Sequence, residues 1–376
     1  EIGVDTVVAE MPVGYKQFIE IAREIDRRQT RLLFLDEPTA VLTETEAQIL
    51  LTALKKLAES GIGIIFISHR LQEVKELCDR IVVLRDGEVI READAGSASV
   101  RDIASWMVGR HVEEHGKERH ERVRSDSAAL AVEHLWVDMP GETVRDVSFE
   151  VRKGEIFGIG GLAGHGKLGI PNGIMGLYPS GGEVRLFGKS IPLNAPRNAL
   201  DSRMAFVSED RRGVGLLLDE RIDWNITFTA MQVQNRFLRR IPLLGIRLRD
   251  DRAISREAGR YIEALDIKCT GPGQRAAELS GGNQQKVCLA KAFALQPEVL
   301  LVCEPTRGID IGAKTLVLDT LRRHNEEHGT TIVVTSSELE ELRSICDRIA
   351  IVGEGRIAGV LPAASPAEEF GLLMMG

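Results

Sequence analysis

The sequence predicts an α/β fold, a mostly parallel sheet with flanking helices, laid down twice in tandem. Three observations predict it. Short unbroken apolar runs, LLFLDE at 32–37 and GIIFIS at 63–68, read as strands buried on both faces. Those runs alternate with stretches of helical spacing. The same order of motifs then returns about 268 residues further on, which marks an internal repeat.

Taken in order, the first copy opens on MPVGYKQ at 11–17 and reaches its first strand at Leu32. TETEAQILLTALKKLAESG follows, with Ile49, Leu50, Ala53, Leu54 and Leu57 on one helical face and a stop at Gly61. GIIFIS is the next strand and RLQEVKELCD the next helix. Strand, helix, strand, helix is the order of a layered α/β domain with parallel strands. In the second copy LSGGNQQ at 279–285 answers MPVGYKQ, and LLVCEPTRGID answers LLFLDEPTAVL. Glu304 pairs with Glu37 and Cys346 with Cys78, at offsets of 267 and 268 residues. A long stretch, 130–278, precedes LSGGNQQ, whereas only ten residues precede Met11. The expectation is that the front half of the first copy is missing. The polar, aperiodic run HVEEHGKERHERVRSDS at 111–127 reads as a linker between units 1–110 and 128–376. Its three histidines need no metal, since a solvated linker accounts for them.

Composition narrows the function classes. With 376 residues, 43% of them hydrophobic and 28% charged, the chain can bury the cores of about two domains. Its longest apolar runs fall far short of the roughly 18 residues of a membrane span. A formal charge of -8 argues against a large basic surface for nucleic acid. Five cysteines without a C-x-x-C pair suggest reduced thiols and a cytosolic setting. Residues 1–10 do not read as a signal peptide.

Two segments carry the chemistry. EIFGIGGLAGHGKLGI runs from an apolar strand into a glycine-rich turn, and Gly161 to Lys167 fits G-x-x-x-x-G-K. Such a turn lets backbone N–H groups curl around phosphate oxygens, with Gly164, His165 and Gly166 in the cradle and Lys167 against the terminal phosphates. The next position should carry a hydroxyl for Mg²⁺, but it is Leu168. LSGGNQQ opens a helix expected over Lys286–Leu295, with Ser280 as N-cap.

Phosphate loop, LSGGNQQ, strand-Asp-Glu-Pro-Thr and strand-Ser-His, in that order, resemble the ATP-binding cassette ATPases. The narrower likeness is to the double-cassette ATPases of bacterial monosaccharide importers. It rests on VGYKQ, SHRLQEV, MVGR at 107–110, VSEDRRGVGL at 207–216, LSGGNQQK and EPTRGID, and it covers essentially the whole chain. The resemblance implies a P-loop NTPase-type sheet, with antiparallel β and helical subdomains in the second cassette. In that family two cassettes face head to tail, each ATP lying between the phosphate loop of one and the LSGG segment of the other.

Carried over, Asp36 would hold Mg²⁺, Glu37 would polarise the attacking water and His69 would contact the γ-phosphate. Ser280, Gly281, Gly282 and Gln284 would meet that nucleotide from the opposite side. The other site, with Gly161 to Leu168 and Glu304, looks impaired: Leu168 lacks a hydroxyl, Cys303 stands for Asp36, Ser337 stands for His69, and Pro12 breaks the facing signature. Neither leucine nor thiol suits Mg²⁺. The expectation is hydrolysis at the first site, weak or no turnover at the second, and negligible ATPase activity from these residues alone.

The resemblance also implies transmembrane permease subunits as partners, through them a periplasmic or lipoprotein solute-binding protein, and a peripheral place on the cytoplasmic face of the plasma membrane. Ser208, Glu209 and Asp210 would form a hinge, and the segment up to Ile267 a groove for a permease helix. Trp136 is a candidate for stacking on adenine. Arg236, Arg239, Arg240, Arg247 and Arg249 read as a solvated helix surface or a contact for lipid head groups. The rival readings are a non-transport cassette ATPase and a nucleotide-binding regulatory module.

Overall fold

Two leucines in alternation, Leu33 and Leu35, carry the first strand of the first repeat. In the computed structural model, which describes residues 19–23, 30–39, 42, 44–68, 70–85, 88–108, 127–241, 246–309 and 311–375, they lie on strand β1, Leu32–Asp36. The chain divides into two compact units, Glu1–Lys117 with Asp310–Gly312 and Glu118–Ile309 with Ala313–Gly376.

In the first unit β1 pairs in parallel with β2, Gly63–Ile67, across the helix α1, Glu44–Glu59. Leu33 and Leu35 pack with Leu50 and Leu54 of α1. Helix α2, Leu71–Leu77, leads to the antiparallel pair β3, Arg80–Arg85, and β4, Glu88–Asp94, which α3, Val100–Val108, covers. The two apolar runs expected to be buried on both faces are covered on one at most: Leu33 and Leu35 of β1 are buried, and Ile64 and Phe66 of β2 are half-buried. Phe34 is 66% exposed and Ile65 42%, with Leu32 and Ile67 beside them.

The second unit shows the other arrangement. Strand β5, Ala128–Val137, pairs antiparallel with β6, Val144–Arg152; β7, Ile156–Gly161, runs into α4, Gly169–Ile174. Then come β8, Ser180–Leu186, β9, Lys189–Ser190, α5, Pro196–Asp201, and β10, Met204–Val207. Helix α6, Ile222–Gln234, the hairpin β11, Leu238–Ile241, and β12, Ile246–Arg249, and α7, Asp251–Ala264, form the helical insertion. After it follow α8, Gly281–Ala294, β13, Val299–Cys303, α9, Ile311–His328, β14, Thr331–Thr335, and α10, Leu339–Ile345. The chain closes with β15, Arg348–Gly353, β16, Arg356–Pro362, and α11, Ala367–Met375.

Ten strands make one sheet in the order β10-β13-β14-β7-β15-β16-β6-β5-β8-β9. Neighbours from β10 to β15 are parallel, and the arm from β6 to β9 is antiparallel. The sheet is buried on both faces: Leu300, Val302, Ile332 and Val334 pack with α6 and α8, while Leu301 and Val333 pack with β5, β6 and α4. That second layer is what the described residues of the first unit lack over Phe34 and Ile65, whose positions in the repeat match Leu301 and Val333. Coverage by a second layer, not composition, decides whether such a run is buried once or twice.

The repeat extends to backbone detail. Glu37 and Glu304 both take a left-handed conformation, φ 46 and φ 44. Their N–H groups donate to Ile67 and Thr335 carbonyls at 2.8 and 2.7 Å, the last residues of β2 and β14. Thr39 Oγ1 donates to Glu73, and Thr306 Oγ1 donates to Glu341. The β3/β4 pair shifts register after Val83 and the β15/β16 pair after Ile351, again 268 residues apart.

Two expectations are corrected. The signature helix starts at Gly281, five residues before the expected Lys286, because GGNQQ is itself helical. The arginines from 239 to 249 sit on a β-hairpin and not on a helix surface, and Arg236 donates to the Ala294 carbonyl and Glu257. Among the described residues no helix is long and apolar enough to cross a membrane.

Candidate active site

Every residue of β7 is buried, and the chain leaves it through a turn that only glycine tolerates at two points. Gly161 has φ +147, and a Cβ there would meet the Val352 carbonyl oxygen at 2.4 Å. Gly166 has φ +97, and its Cβ would meet the Thr143 oxygen at 2.6 Å. The turn delivers Gly164, Gly166 and Leu168 N–H groups to one place, where all three donate to the Glu142 carboxylate, at 2.8, 3.0 and 3.2 Å. Lys167 is only 1% exposed. His165 is tied to the β15–β16 turn: its Nδ1 accepts from Glu354 N–H at 3.3 Å and its carbonyl from Gly355 N–H at 2.9 Å.

Glu304 stands at the end of β13, with Thr335 ending β14 and the turn ending β7, so the group lies at the carboxyl ends of neighbouring parallel strands. That edge is where open α/β sheets hold ligands. Burial raises the Glu304 pKa, against the pull of Ser337 and Lys167. Ser337 Oγ donates to Glu304 Oε1 at 2.5 Å. Cys303 is wholly buried, and desolvation lifts its thiol well above the usual range. Leu168 packs against the apolar layer under α4. A thiol, an aliphatic chain and a hydroxyl already bonded to Glu304 do not make a hard-oxygen shell, so this loop does not fit Mg²⁺.

The signature residues are only partly free. Ser280 precedes α8, but its Oγ accepts from the Asn283 side chain at 2.9 Å and caps no backbone N–H. Gly281 and Gly282 form the first turn, whereas Gln284 is buried and donates to the Ala276 carbonyl at 3.1 Å. Gln284 therefore braces the preceding loop. Arg211, which sequence reasoning did not single out, donates from Nη1 to the Gly281 carbonyl at 2.9 Å across 70 residues. Glu142 was also missed. The DRRG run hinted at the arginine; nothing local marked Glu142.

In the first unit Asp36 and Glu37 end β1 and are exposed. Asp36 is an available oxygen ligand of the kind Mg²⁺ takes. His69, Pro12 and the MPVGYKQ segment lie outside the described residues. Trp136, 47% exposed, lies over Gly181 on β8. A cavity of about 650 Å³ lined by Tyr261, Phe293, Pro297, His324 and Thr331 opens at the amino ends of β13 and β14, opposite the phosphate loop.

Residues 144–307 match the family model described as ABC transporter. Over 370 residues, 98% of this chain and 69% of the relative, the sequence is 40% identical to "Ribose import ATP-binding protein RbsA 2" of Rhizobium meliloti (strain 1021). The chain belongs to the ABC transporter ATPases. A second relative, "Ribose import ATP-binding protein RbsA" of Caldanaerobacter subterraneus subsp. tengcongensis, is 36% identical over 98% of this chain and 72% of its own. A third, "Putative ribose/galactose/methyl galactoside import ATP-binding protein 1" of Agrobacterium fabrum, is 37% identical over 98% and 70%.

The ABC fold is equally plain in solved structures. A dimeric ATP-binding cassette in a post-hydrolysis state, bound to ADP and Pi, superposes with TM-score 0.52 at 20% identity, covering 63% of this chain and all of its own. A nucleotide-free cassette from an ABC transporter gives 0.54 at 19% identity, covering 66% and 96%. In this ABC ATPase, then, the phosphate loop at 161–168 belongs to a nucleotide-binding fold.

Proposed function

We propose that this chain is the ATP-binding and ATP-hydrolysing subunit of an importer, energising uptake of a simple sugar or related small solute through separate permease subunits. The observation that carries the reading is likeness to sugar-import ATP-binding proteins along 98% of the chain, with two unequal copies of the catalytic strand end. The chain's place is peripheral, on the cytoplasmic face of the membrane that holds the permease, and a solute-binding protein sets the cargo.

Asp36 and Glu37 are assigned the hydrolytic site. Asp36 would hold Mg²⁺, which there neutralises charge on the transferring phosphoryl group. The Glu37 carboxylate, exposed at a strand end, accepts a hydrogen bond from the attacking water and aims it. By the family resemblance, His69 would contact the γ-phosphate side. Ser280, Gly281 and Gly282 offer the N-terminal end of α8, a 14-residue helix, to phosphate charge. At the other site Glu304 is bound by Ser337 and has no metal ligand in Cys303 or Leu168, so it turns over little or nothing.

In the assembled transporter Glu37→Gln lowers the solute-stimulated ATPase rate at least about 100-fold, within the range general bases supply. Glu304→Gln changes it less than about threefold. The opposite pattern, measured by phosphate release, would exchange the two roles.

A further inference from the structure

The three N–H groups that a phosphate loop offers to phosphate oxygens are taken in the second unit by a side chain of the same molecule. Gly164 donates to Glu142 Oε1 at 2.8 Å, and Gly166 and Leu168 donate to Oε2 at 3.0 and 3.2 Å. The carboxylate is bound through both oxygens, as a phosphate would be through two of its own. Bonds from N–H to an ionised acceptor are about twice as strong as neutral ones, so three of them on one buried carboxylate form a firm contact. Glu142 is 8% exposed, and among the described residues its carboxylate has no arginine or lysine partner; the loop amides are its hydrogen-bond donors.

The contact is built into the packing on both sides. Glu142 sits on a turn between β5 and β6, closed by its N–H donating to the Met139 carbonyl at 3.0 Å. That turn lies directly on the loop. A Cβ at Gly169 would meet the Glu142 carbonyl oxygen at 2.1 Å, and one at Gly166 the Thr143 oxygen at 2.6 Å. Arg145 N–H then donates to Gly355 O at 2.9 Å, and Gly355 N–H to His165 O at 2.9 Å, which fastens the start of β6 to the loop from behind. The carboxylate thus reaches the amides because glycines leave room for its backbone.

Phosphate and carboxylate need the same three donors and carry the same sign of charge, so they exclude each other. We infer that Glu142 is an internal stand-in for phosphate, holding the second loop closed to nucleotide until the 139–143 turn withdraws. This explains how the loop keeps its glycines and Lys167 while the positions that would serve Mg²⁺ have become Leu168 and Cys303: its resting occupant is a carboxylate that needs no metal. The inference rests on reading 161–168 as a nucleotide loop.

The test uses the 376-residue chain, with N-methylanthraniloyl-ATP and inorganic phosphate as separate probes in magnesium-free buffer, and hydrogen exchange at Gly164, Gly166 and Leu168 as an independent readout. Glu142→Ala tightens binding of the ATP analogue at least tenfold over the unsubstituted chain, and the isosteric Glu142→Gln tightens it by a smaller factor. Adding Lys167→Ala to Glu142→Ala removes the gain. Exchange at the three amides speeds at least tenfold in Glu142→Ala without nucleotide. Equal affinity in the unsubstituted chain and both variants overturns the inference, as does unchanged exchange. Faster exchange with no analogue bound by any variant overturns the nucleotide reading, and the inference falls with it. Glu142→Gln preserves the side-chain volume, so a folding defect confined to Glu142→Ala leaves the comparison intact.

Discussion

At Cys303 a thiol takes the place that Asp36 holds in the first repeat, and the surroundings match the chemistry of each. Asp36 is exposed at its strand end, whereas Cys303 is fully buried beside Glu209 and Glu304, and burial holds its thiol protonated. Cys288 is pushed up to about 12 by the same desolvation. Because the thiolate is the reactive form, such cysteines are inert. In the native chain a thiol reagent therefore labels half-buried Cys269 first and Cys78, whose thiol burial also pushes up, more slowly, and leaves Cys288, Cys303 and Cys346 silent until denaturant is added. Mass spectrometry of the labelled peptides checks this, and rapid native labelling of Cys303 would contradict its burial. The paired glutamates make a second point at this scale. A left-handed φ on a non-glycine residue costs about 1–3 kcal/mol and persists where the surroundings impose it. It appears at both Glu37 and Glu304, so the two copies share this conformation at the strand end although their neighbours Asp36 and Cys303 differ.

Among the elements, β1 and β13 are copies with different surroundings. Leu301 lies within the layer formed by β5, β6 and α4, while Phe34 at the matching position is 66% exposed. Removing a buried leucine side chain costs about 2–5 kcal/mol, through lost transfer energy and the cavity left behind. Surface substitutions stay within about 0.5 kcal/mol. Leu301→Ala therefore lowers the urea midpoint of the second unit strongly, and Phe34→Ala leaves the first unit nearly unchanged. Equal losses would mean that Phe34 is covered. The helix order and strand order of both copies were legible because periodicity is a local property. Which strands would be covered twice was not, since the first four residues of LLFLD and VLLVC are all apolar and give no sign of what lies above them.

For the molecule as a whole, one buried ring contributes to acid sensitivity. His324 stacks on Phe293 at 3.8 Å between centroids and on His328 at 4.5 Å. Burial pulls its pKa down to about 4 from the ordinary 6.5. Between those values the unfolded chain binds a proton that the folded chain refuses, so folding loses stability as pH falls through this window. From pH 7 to pH 5 the loss is about 1 to 2 kcal/mol after allowing for the ring's partial exposure. His324→Phe flattens that part of the profile in urea unfolding measured at both pH values. An unchanged slope would place the acid sensitivity elsewhere.

The amino-acid sequence by itself determined the duplication, the parallel α/β order, the glycine loop and the loss of magnesium-binding side chains at 168 and 303. Each of these is a matter of neighbouring residues or of a fixed repeat. Only the tertiary structure decided that Glu142 fills the loop, that Arg211 holds Gly281, that Gln284 turns inward to Ala276, and that one face of β1 is bare. The contacts of Glu142 and Arg211 join segments 24 and 70 residues apart. A hydrogen bond of that kind leaves no periodic trace, because its two partners are brought together by the sheet and not by their order along the chain.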